Sequence, residues 1–428
     1  MKRVVSVLLA AAVGLGLLSG CSGTSSKTGG SAKARITLRT VSMFGGTDPS
    51  AAVYSQNIVK FMSENTNVTV KDASATSDQT WKAQVVNDFN SGSEADVTFF
   101  FTGSDAAKIV SSGQVVDLAT IQKTYPDYAK NITSGALTQM KAGDGKTYAV
   151  PVRGYWEGIF CNKDLFDKYG LQLPTTWDNL TKAITTFKAN GIVPFAASLA
   201  DVPHYFIEHF ILAAGGVDDH HVNPGTDASK IPASWSKGLS LFKTFGDMGA
   251  FPSNTASSKD TEIQQLFIDK KAAMRLDGSW FVGSVKDTAN TTVVPFPAYT
   301  DSKKDPSDII SGFSSGFYIS KKAWDDPSKR AAAVKFVELM TSNDSISAFV
   351  NAAGGSPAAS VQAGSDLSTL AKAGISMASA AKNVDDATDS RLSQACYTSL
   401  VNSMASVAAG KTTADQALKT AIALNTSN

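Results

Sequence analysis

The sequence has no clear excess of either charge and very few cysteines. Its 39 lysine and arginine residues are balanced by 38 aspartate and glutamate residues, which leaves a formal net charge of +1. Because nucleic-acid-binding proteins normally carry a clear basic excess, this balance disfavours that class. Three cysteines among 428 residues are too few for a scaffold held together by disulfide bonds. The sequence therefore points away from nucleic acid and from a disulfide-rich fold.

Apolar and aromatic side chains, by contrast, are abundant. Hydrophobic residues make up 43% of the chain, and its 22 phenylalanines, 10 tyrosines and 6 tryptophans rule out disorder for most of its length. A chain of 428 residues is also too long for one ordinary hydrophobic core. We therefore predict two or more packed lobes.

Residues 1–20 have the pattern of a signal peptide. Two basic residues precede an uncharged, mostly apolar run at residues 4–18, which is shorter than the ~20 residues that span a bilayer. Residues 18–21, with the sequence LSGC, resemble the lipobox of bacterial lipoproteins, which implies cleavage before Cys21 and a lipid on its thiol. An ordinary secretory signal is the alternative. Residues 21–32 are rich in serine and glycine and predict a flexible tether.

Strands and helices alternate in the first part of the chain. Extended and helical patterns follow one another at residues 36–43, 51–64, 68–70, 81–89 and 96–101. This alternation predicts a parallel sheet that is covered on both faces. In such sheets a ligand lies beyond the carboxyl ends of the strands, which places the loops at residues 44–48 and 101–104 beside a candidate site.

The middle of the chain has the same α/β character and predicts a second lobe. Extended patterns at residues 193–198 and 272–276 alternate with helical patterns at residues 205–214 and 235–248. The strand at residues 272–276 ends in a polar corner that contains glycine, and this corner projects Trp280 out of the sheet.

Two patterns raise the alternative of a secreted enzyme. Residues 312–316 match the G-x-S-x-G pattern of hydrolase nucleophiles, but a strand pattern follows where a helix is required, and all four histidines lie upstream. A glycoside hydrolase needs two carboxylates ~5–10 Å apart across the sugar, and Glu157, Asp277 and Asp48 are candidates. Their spacing singles out no pair, so this alternative stays open.

Seven short stretches, in a fixed order, carry a resemblance to a known family. They are residues 95–97 (ADV), 145–151 (GKTYAVP), 162–166 (NKDLF), 173–177 (LPTTW), 267–274 (FIDKKAAM), 278–280 (GSW) and 294–297 (VPFP). Each stretch alone is weak, but together with the lipobox they are specific. The chain from Ile36 onward resembles the extracellular solute-binding proteins of ABC importers, in particular the carbohydrate-binding family that includes maltose-binding protein.

The resemblance implies a periplasmic-binding-protein-like α/β fold of two lobes, joined by hinge segments and closing on a ligand in the cleft between them. By position, the lobes comprise residues 33–160 with 296–342, and residues 161–295 with 343–428. The chain would then cross between the lobes near residues 160–161, 294–296 and 342–343.

The chemistry of a sugar agrees with this expectation, because a pyranose offers apolar faces to aromatic rings and hydroxyl groups to fixed polar side chains. The resemblance implies that Trp280 stacks on the sugar, with packing between the lobes as the alternative. It also places Trp156 and Tyr155 at the cleft by position. The remaining candidates come from loops that line the cleft in the family or from its border, and they are Phe44, Asp48, Phe101, Thr102, Arg153, His204, Gly312 and Phe313.

The expected protein is a lipid-anchored, monomeric substrate-binding component on the extracytoplasmic face of a bacterial cell membrane. It would deliver a carbohydrate to the permease subunits of an ABC transporter, without catalysis, cofactor, metal or nucleic acid. A secreted glycoside hydrolase and a surface adhesin that retains glycan are the alternatives. Cys161 and Cys396 could form a disulfide bond, but free thiols are favoured.

Overall fold

The structure of the protein is a computed structural model that describes residues 34–361 and 367–426. The predicted signal peptide, the predicted lipid attachment site at Cys21 and the predicted tether up to residue 32 lie outside the described residues. Within the described ranges, no helix is long and apolar enough to cross a membrane.

The strands of the described chain alternate with its helices. The strands are β1 Ile36–Val41, β2 Val68–Asp72, β3 Val97–Phe101, β4 Tyr155–Asn162, β5 Val193–Phe195, β6 Ala272–Gly278, β7 Thr291–Val294, β8 Ile309–Gly312, β9 Ser315–Ile319 and β10 Val384–Asp385. The helices are α1 Ala51–Glu64, α2 Gln79–Ser91, α3 Ala107–Ser111, α4 Leu118–Thr124, α5 Ser134–Gln139, α6 Lys163–Lys168, α7 Trp177–Ala189, α8 His204–His220, α9 Ala233–Asp247, α10 Asp260–Ile268, α11 Lys321–Asp325, α12 Pro327–Met340, α13 Asn343–Ala353, α14 Thr369–Ala380, α15 Gln394–Ala408 and α16 Ala414–Ile422.

The first lobe is built on a four-stranded sheet in the order β2-β1-β3-β9. β1 pairs in parallel with β2 and β3, as the alternating pattern predicts, and β9 adds to β3 in the antiparallel direction. α1 has the predicted bounds, whereas α2 begins two residues before the prediction because the Asp78 side chain accepts a hydrogen bond from Trp81 N and caps it. Phe61, Phe99 and Phe336 belong to the buried core of this lobe.

The second lobe is built on a six-stranded sheet in the order β10-β8-β4-β6-β5, with β7 also paired to β4. β4 is buried along its whole length and pairs antiparallel with β6, β7 and β8. α8 and α9 pack on each other, and α15 and α16 pack on α9. These helices and the sheet enclose one large apolar core that contains Phe210 and Phe242.

Two separate sheets, each packed with helices, form the predicted two-lobe α/β architecture. The division of the chain between the lobes stays a prediction. In the structure β4 belongs to the second sheet over its whole length, although residues 160–161 were expected at a crossing. α13 packs against α1, and its Phe349 lies in the core of the first lobe.

Both remaining cysteines are free and buried, as the sequence favoured. Cys161 lies in β4 and Cys396 in α15. Burial in apolar surroundings raises the pKa of both thiols, that of Cys396 to about 12, so neither is a reactive thiolate at neutral pH.

Candidate ligand-binding cleft

Trp280 lies at the corner that follows β6. Its indole Nε1 donates a hydrogen bond of 2.7 Å to Asp277 Oδ1. The indole folds back over Gly278, where a Cβ would overlap the ring, so this position requires glycine. The ring centroids of Tyr155 and Tyr205 each lie 6.2 Å from that of Trp280. The buried Tyr155 and Tyr205 and the partly exposed Trp280 therefore form one contiguous group of rings, the aromatic trio.

Buried charges hold the indole of Trp280 in place. Arg275 Nε donates to Asp277 Oδ2 at 2.6 Å, and its two terminal nitrogens donate to the Asp260 carboxylate at 2.6 and 3.0 Å. Burial raises the pKa of Asp277, and the positive charge of Arg275 opposes that rise. Asp277 thus accepts from Arg275 and from Trp280, which leaves the indole little freedom to rotate. This arrangement preorganises a flat surface for a ligand.

A buried pair of glutamates lies next to the trio. Glu157 Oε2 is 3.2 Å from His209 Nε2, and the carboxyl groups of Glu157 and Glu208 are close enough for the charge of Glu208 to raise the pKa of Glu157. Burial raises the pKa of Glu157 and raises that of Glu208 to about 8, whereas it lowers the pKa of His209. At neutral pH His209 is therefore uncharged, and the two glutamates hold at least one proton between them.

The first lobe contributes Phe101 at the carboxyl end of β3. The Lys82 ammonium lies 4.0 Å from the centroid of the Phe101 ring, a distance typical of a cation–π contact. The next residue, Thr102, donates its backbone N–H to Ser314 O at 2.8 Å. This bond joins the loop after β3 to the loop between β8 and β9.

The loop between β8 and β9 lies between the two lobes. Gly312 pairs with Tyr155 across β8 and β4 of the second sheet. Phe313 donates its backbone N–H to Gln139 Oε1 of the first lobe at 3.0 Å. The Phe313 ring also lies against Gly154, immediately before β4. The structure therefore brings Phe101, Thr102, Gly312 and Phe313 together, beside one member of the aromatic trio.

Asp48 and Arg153 form a second polar group. Asp48 Oδ1 accepts a hydrogen bond of 2.7 Å from Ser50 N. Burial raises the pKa of Asp48, and the nearby Arg153 charge opposes the rise. Burial also lowers the pKa of Arg153. Arg153 Nε is buried and has no hydrogen-bond partner among the described residues, so it is a donor available to a ligand.

Residues 46–346, more than half of the chain, match the family described as bacterial extracellular solute-binding protein. The chain belongs to this family. It is 25% identical over 355 residues to the putative ABC transporter periplasmic-binding protein YcjN of Escherichia coli K12, which covers 80% of this chain and 76% of the relative. It is 23% identical over 236 residues to the melibiose/raffinose/stachyose-binding protein MelE of Bacillus subtilis 168, which covers 50% of this chain and 54% of the relative.

Solved structures agree with the two-lobe fold. A chitin oligosaccharide binding protein superposes with a TM-score of 0.79 at 22% sequence identity, over 91% of this chain and 98% of the other. At this level of identity the likeness establishes the fold alone.

Trp156 does not reach the cleft of this solute-binding protein, which corrects the expectation from its position. It is 0% exposed, its ring stacks on Phe160 with centroids 5.9 Å apart, and its indole lies against Gly374 of α14. The reason is the alternation of side chains along a strand. Tyr155 and Glu157 point to one face of β4, so Trp156 between them points to the other.

Phe44 is a core residue as well, although its loop was expected to line the cleft. It is 3% exposed, and its ring centroid lies 4.4 Å from that of Phe99 and 4.9 Å from that of Phe349. The apolar core between β3 and α13 takes up the ring, because burying a phenylalanine there stabilises the lobe more than leaving it in water.

His204 lies at the border of the trio. Its ring centroid is 4.0 Å from that of Tyr205 and 6.5 Å from that of Tyr397. Burial lowers the pKa of His204 to about 4, so the imidazole is neutral and can both donate and accept a hydrogen bond.

The sequence alone missed several residues at or beside this site, among them Lys82, Glu208, Asp389 and Tyr397. Glu208 had a detectable signal, because it is an ionisable residue inside an otherwise apolar stretch of α8. The other three had none, since each lies on a helix or loop that tertiary packing alone brings to the cleft.

Among the described residues, one group has the spacing of metal ligands, formed by His221, Asp385 and Asp386. Arg391 donates hydrogen bonds to both carboxylates, and His220 Nδ1 lies 2.6 Å from Asp385 Oδ2. Arg391 therefore already supplies the positive charge that a metal ion would bring.

Proposed function

We propose that this solute-binding protein captures a sugar or an oligosaccharide between its lobes and passes it to the permease subunits of an ABC importer. The observation that carries the proposal is the aromatic trio, in which Trp280 is fixed by Asp277 and stays partly exposed. Sugars stack on such rings, because the C–H face of a sugar is apolar and fits against a flat aromatic ring. The relatives named above support the same class of ligand, since one is named for melibiose, raffinose and stachyose and another for chitin oligosaccharide.

Polar groups suited to sugar hydroxyls accompany the trio. Arg153 Nε is a buried donor without a partner, and neutral His204 offers both a donor and an acceptor. Asp386 accepts from Arg391 but keeps 40% of its side-chain surface exposed, so its carboxylate also remains available as an acceptor. A few fixed polar groups around an apolar surface are the usual composition of a small-molecule site.

We further propose that the protein binds without catalysis. A glycoside hydrolase holds its two carboxyl groups ~5–10 Å apart so that the sugar fits between them. Glu157 and Glu208 are instead both buried, so close that the charge of Glu208 raises the pKa of Glu157, and Asp277 is occupied by Arg275 and Trp280. Asp48, the remaining candidate, faces Arg153.

The decisive experiment is calorimetric titration with mono- and oligosaccharides, including melibiose, raffinose and chitin oligosaccharides, with reducing ends measured in parallel. We expect one class to bind saturably and to raise the free energy of unfolding by ~2.7 kcal/mol at 100 times its Kd. No new reducing ends should form. Absence of binding across the panel would contradict sugar recognition, and steady release of reducing ends would establish a hydrolase.

Anchoring through Cys21 is a separate proposal. It is supported by the LSGC sequence at residues 18–21 and by the extracellular character of the family. We expect Cys21→Ser to move the protein almost completely from the membrane fraction to the soluble fraction, because stable anchoring needs lipid chains. Cys396→Ala is the matched control, since this thiol is buried, and it should stay in the membrane fraction. A Cys21→Ser variant that remains in the membrane fraction would refute the lipoprotein assignment.

A further inference from the structure

The two lobes touch at a place that is separate from the aromatic trio. Residues 386–391, here called the 386–391 loop, follow β10 in the second lobe and meet the turn that follows β3 in the first. Ser104 Oγ of that turn donates a hydrogen bond of 2.6 Å to Asp389 O. Gly103 has φ +62, and a Cβ there would lie 2.9 Å from Ser390 O, so only glycine permits this approach of two backbones.

Lys82 of α2 supplies the charge at this contact. Its ammonium lies 2.6 Å from Asp105 Oδ2 in its own lobe and 4.0 Å from Asp389 Oδ2 in the other lobe. The side chains of Lys82 and Asp105 are only 13% and 10% exposed. A pair so removed from water is stronger than the usual surface ion pair. Without Lys82, the carboxylates of Asp105 and Asp389 would face each other across the contact between the lobes, with no cation between them.

A second polar contact extends the same interface. Gln394 Nε2, at the first residue of α15, donates to Gln79 Oε1, at the first residue of α2, with a distance of 3.1 Å. The contact between the lobes therefore reaches from the turn after β3 to the ends of two helices.

The 386–391 loop is tied to the site by its backbone. Ala387 N donates to the Tyr155 hydroxyl at 2.8 Å, and Thr388 N donates to Glu208 Oε2 at 3.1 Å. One of these acceptors is a member of the aromatic trio, and the other belongs to the buried glutamate pair. A ligand that orders Tyr155 thus also orders the loop that contacts the first lobe.

We propose that Lys82, Ser104, Asp105 and the 386–391 loop form an interlobe clamp, which holds the lobes together over the cleft and slows the release of bound sugar. Its effect on sugar release rests on the proposed function, whereas its effect on the lobes does not. Lys82 has a double role in this clamp. It balances Asp105 and Asp389 and at the same time lies over the Phe101 ring, so cleft and clamp share one cation.

The test begins with the sugar-free protein. We expect Lys82→Met to increase the radius of gyration measured by small-angle X-ray scattering, because the two carboxylates left behind repel each other across the lobes. Adding Asp389→Asn to this variant removes that repulsion and should return the radius towards the wild-type value. Lys321→Met is the matched control, since Lys321 pairs with Asp325 within α11 of the first lobe, and it should leave the radius unchanged.

The second arm measures release of the sugar identified by titration. We expect Lys82→Met to speed dissociation about 10-fold in stopped-flow experiments, with a much smaller change in the association rate. Adding Asp389→Asn to Lys82→Met should restore part of the slow dissociation. If Lys82 acted only by touching the sugar, this second substitution would restore nothing. Ser104→Ala, which removes one hydrogen bond and no charge, should speed dissociation by a smaller factor.

An unchanged radius and unchanged dissociation in Lys82→Met would overturn the clamp. A radius of gyration that is no smaller in the Lys82→Met, Asp389→Asn double variant than in Lys82→Met alone would also overturn it. If the wild-type protein binds no sugar, the proposed function fails, but the scattering of the sugar-free variants still decides whether the clamp exists.

Discussion

Replacing Trp280 with alanine should weaken sugar binding by about 30-fold or more and leave the stability of the sugar-free protein nearly intact. Aromatic residues at the centre of a binding site often contribute 2 kcal/mol or more, which corresponds to this factor. The indole is partly exposed and is held by Asp277, so its face is available to a ligand before binding. Its removal should therefore cost much less than the ~3–5 kcal/mol of a fully buried tryptophan. Calorimetric titration and thermal unfolding of the same variant measure both quantities.

Trp280→Phe provides the graded control for this experiment. It keeps an aromatic face but loses the hydrogen bond to Asp277, so we expect an affinity between those of the wild type and the alanine variant. Trp280 also packs against the apolar residues of both faces of the second sheet, which leaves packing as the competing role. A large loss of stability with unchanged affinity would establish that competing role.

Replacing Trp156 with alanine should have the opposite effect. We expect the free energy of unfolding to fall by ~3–5 kcal/mol, because the side chain is fully buried and its removal leaves a cavity. The affinity for sugar should stay within a few-fold of the wild type, since the indole packs on Phe160 and Gly374 on the face of β4 away from Tyr155. Urea unfolding and titration with the same sugar measure the two effects.

Trp156→Phe is the conservative control and should lose less stability, because it leaves a smaller cavity. The opposite result, a stable alanine variant that no longer binds sugar, would contradict the core assignment and show that Trp156 contacts the ligand. Together the two tryptophans separate ligand contact from core packing within one lobe.

Local patterns were sufficient to predict that β1, β2 and β3 lie in a parallel sheet, whereas their order came from the structure. Alternation of extended and helical patterns requires crossover connections, and crossovers join parallel strands. The bounds of α1 followed from its apolar spacing in the same way. The corner that exposes Trp280 was also visible, because a buried strand that ends in glycine and serine must leave the sheet there.

Trp156 and Phe44 show where local patterns fail. Both are aromatic residues in or next to predicted cleft loops. Sequence position alone does not tell which side of a strand or loop packs against the hydrophobic core of its lobe. In β4 every residue is buried, so polarity gives no alternation to follow. The face that Trp156 occupies was decided by α14, whose Gly374 leaves room for the indole.

The sequence by itself determined the α/β class of this protein and the polar corner that carries a partly exposed tryptophan, because alternating strand and helix patterns and a strand end can be recognised from neighbouring residues. The tertiary structure alone decided the rest of the site. Glu157 and Glu208 are 51 positions apart, and Lys82 lies more than 300 positions before Asp389. No local pattern records that such residues meet. Their pairing depends on how β4, α8 and the 386–391 loop pack, and burial at those contacts then sets the pKa of Glu208 and the strength of the Lys82 ion pair.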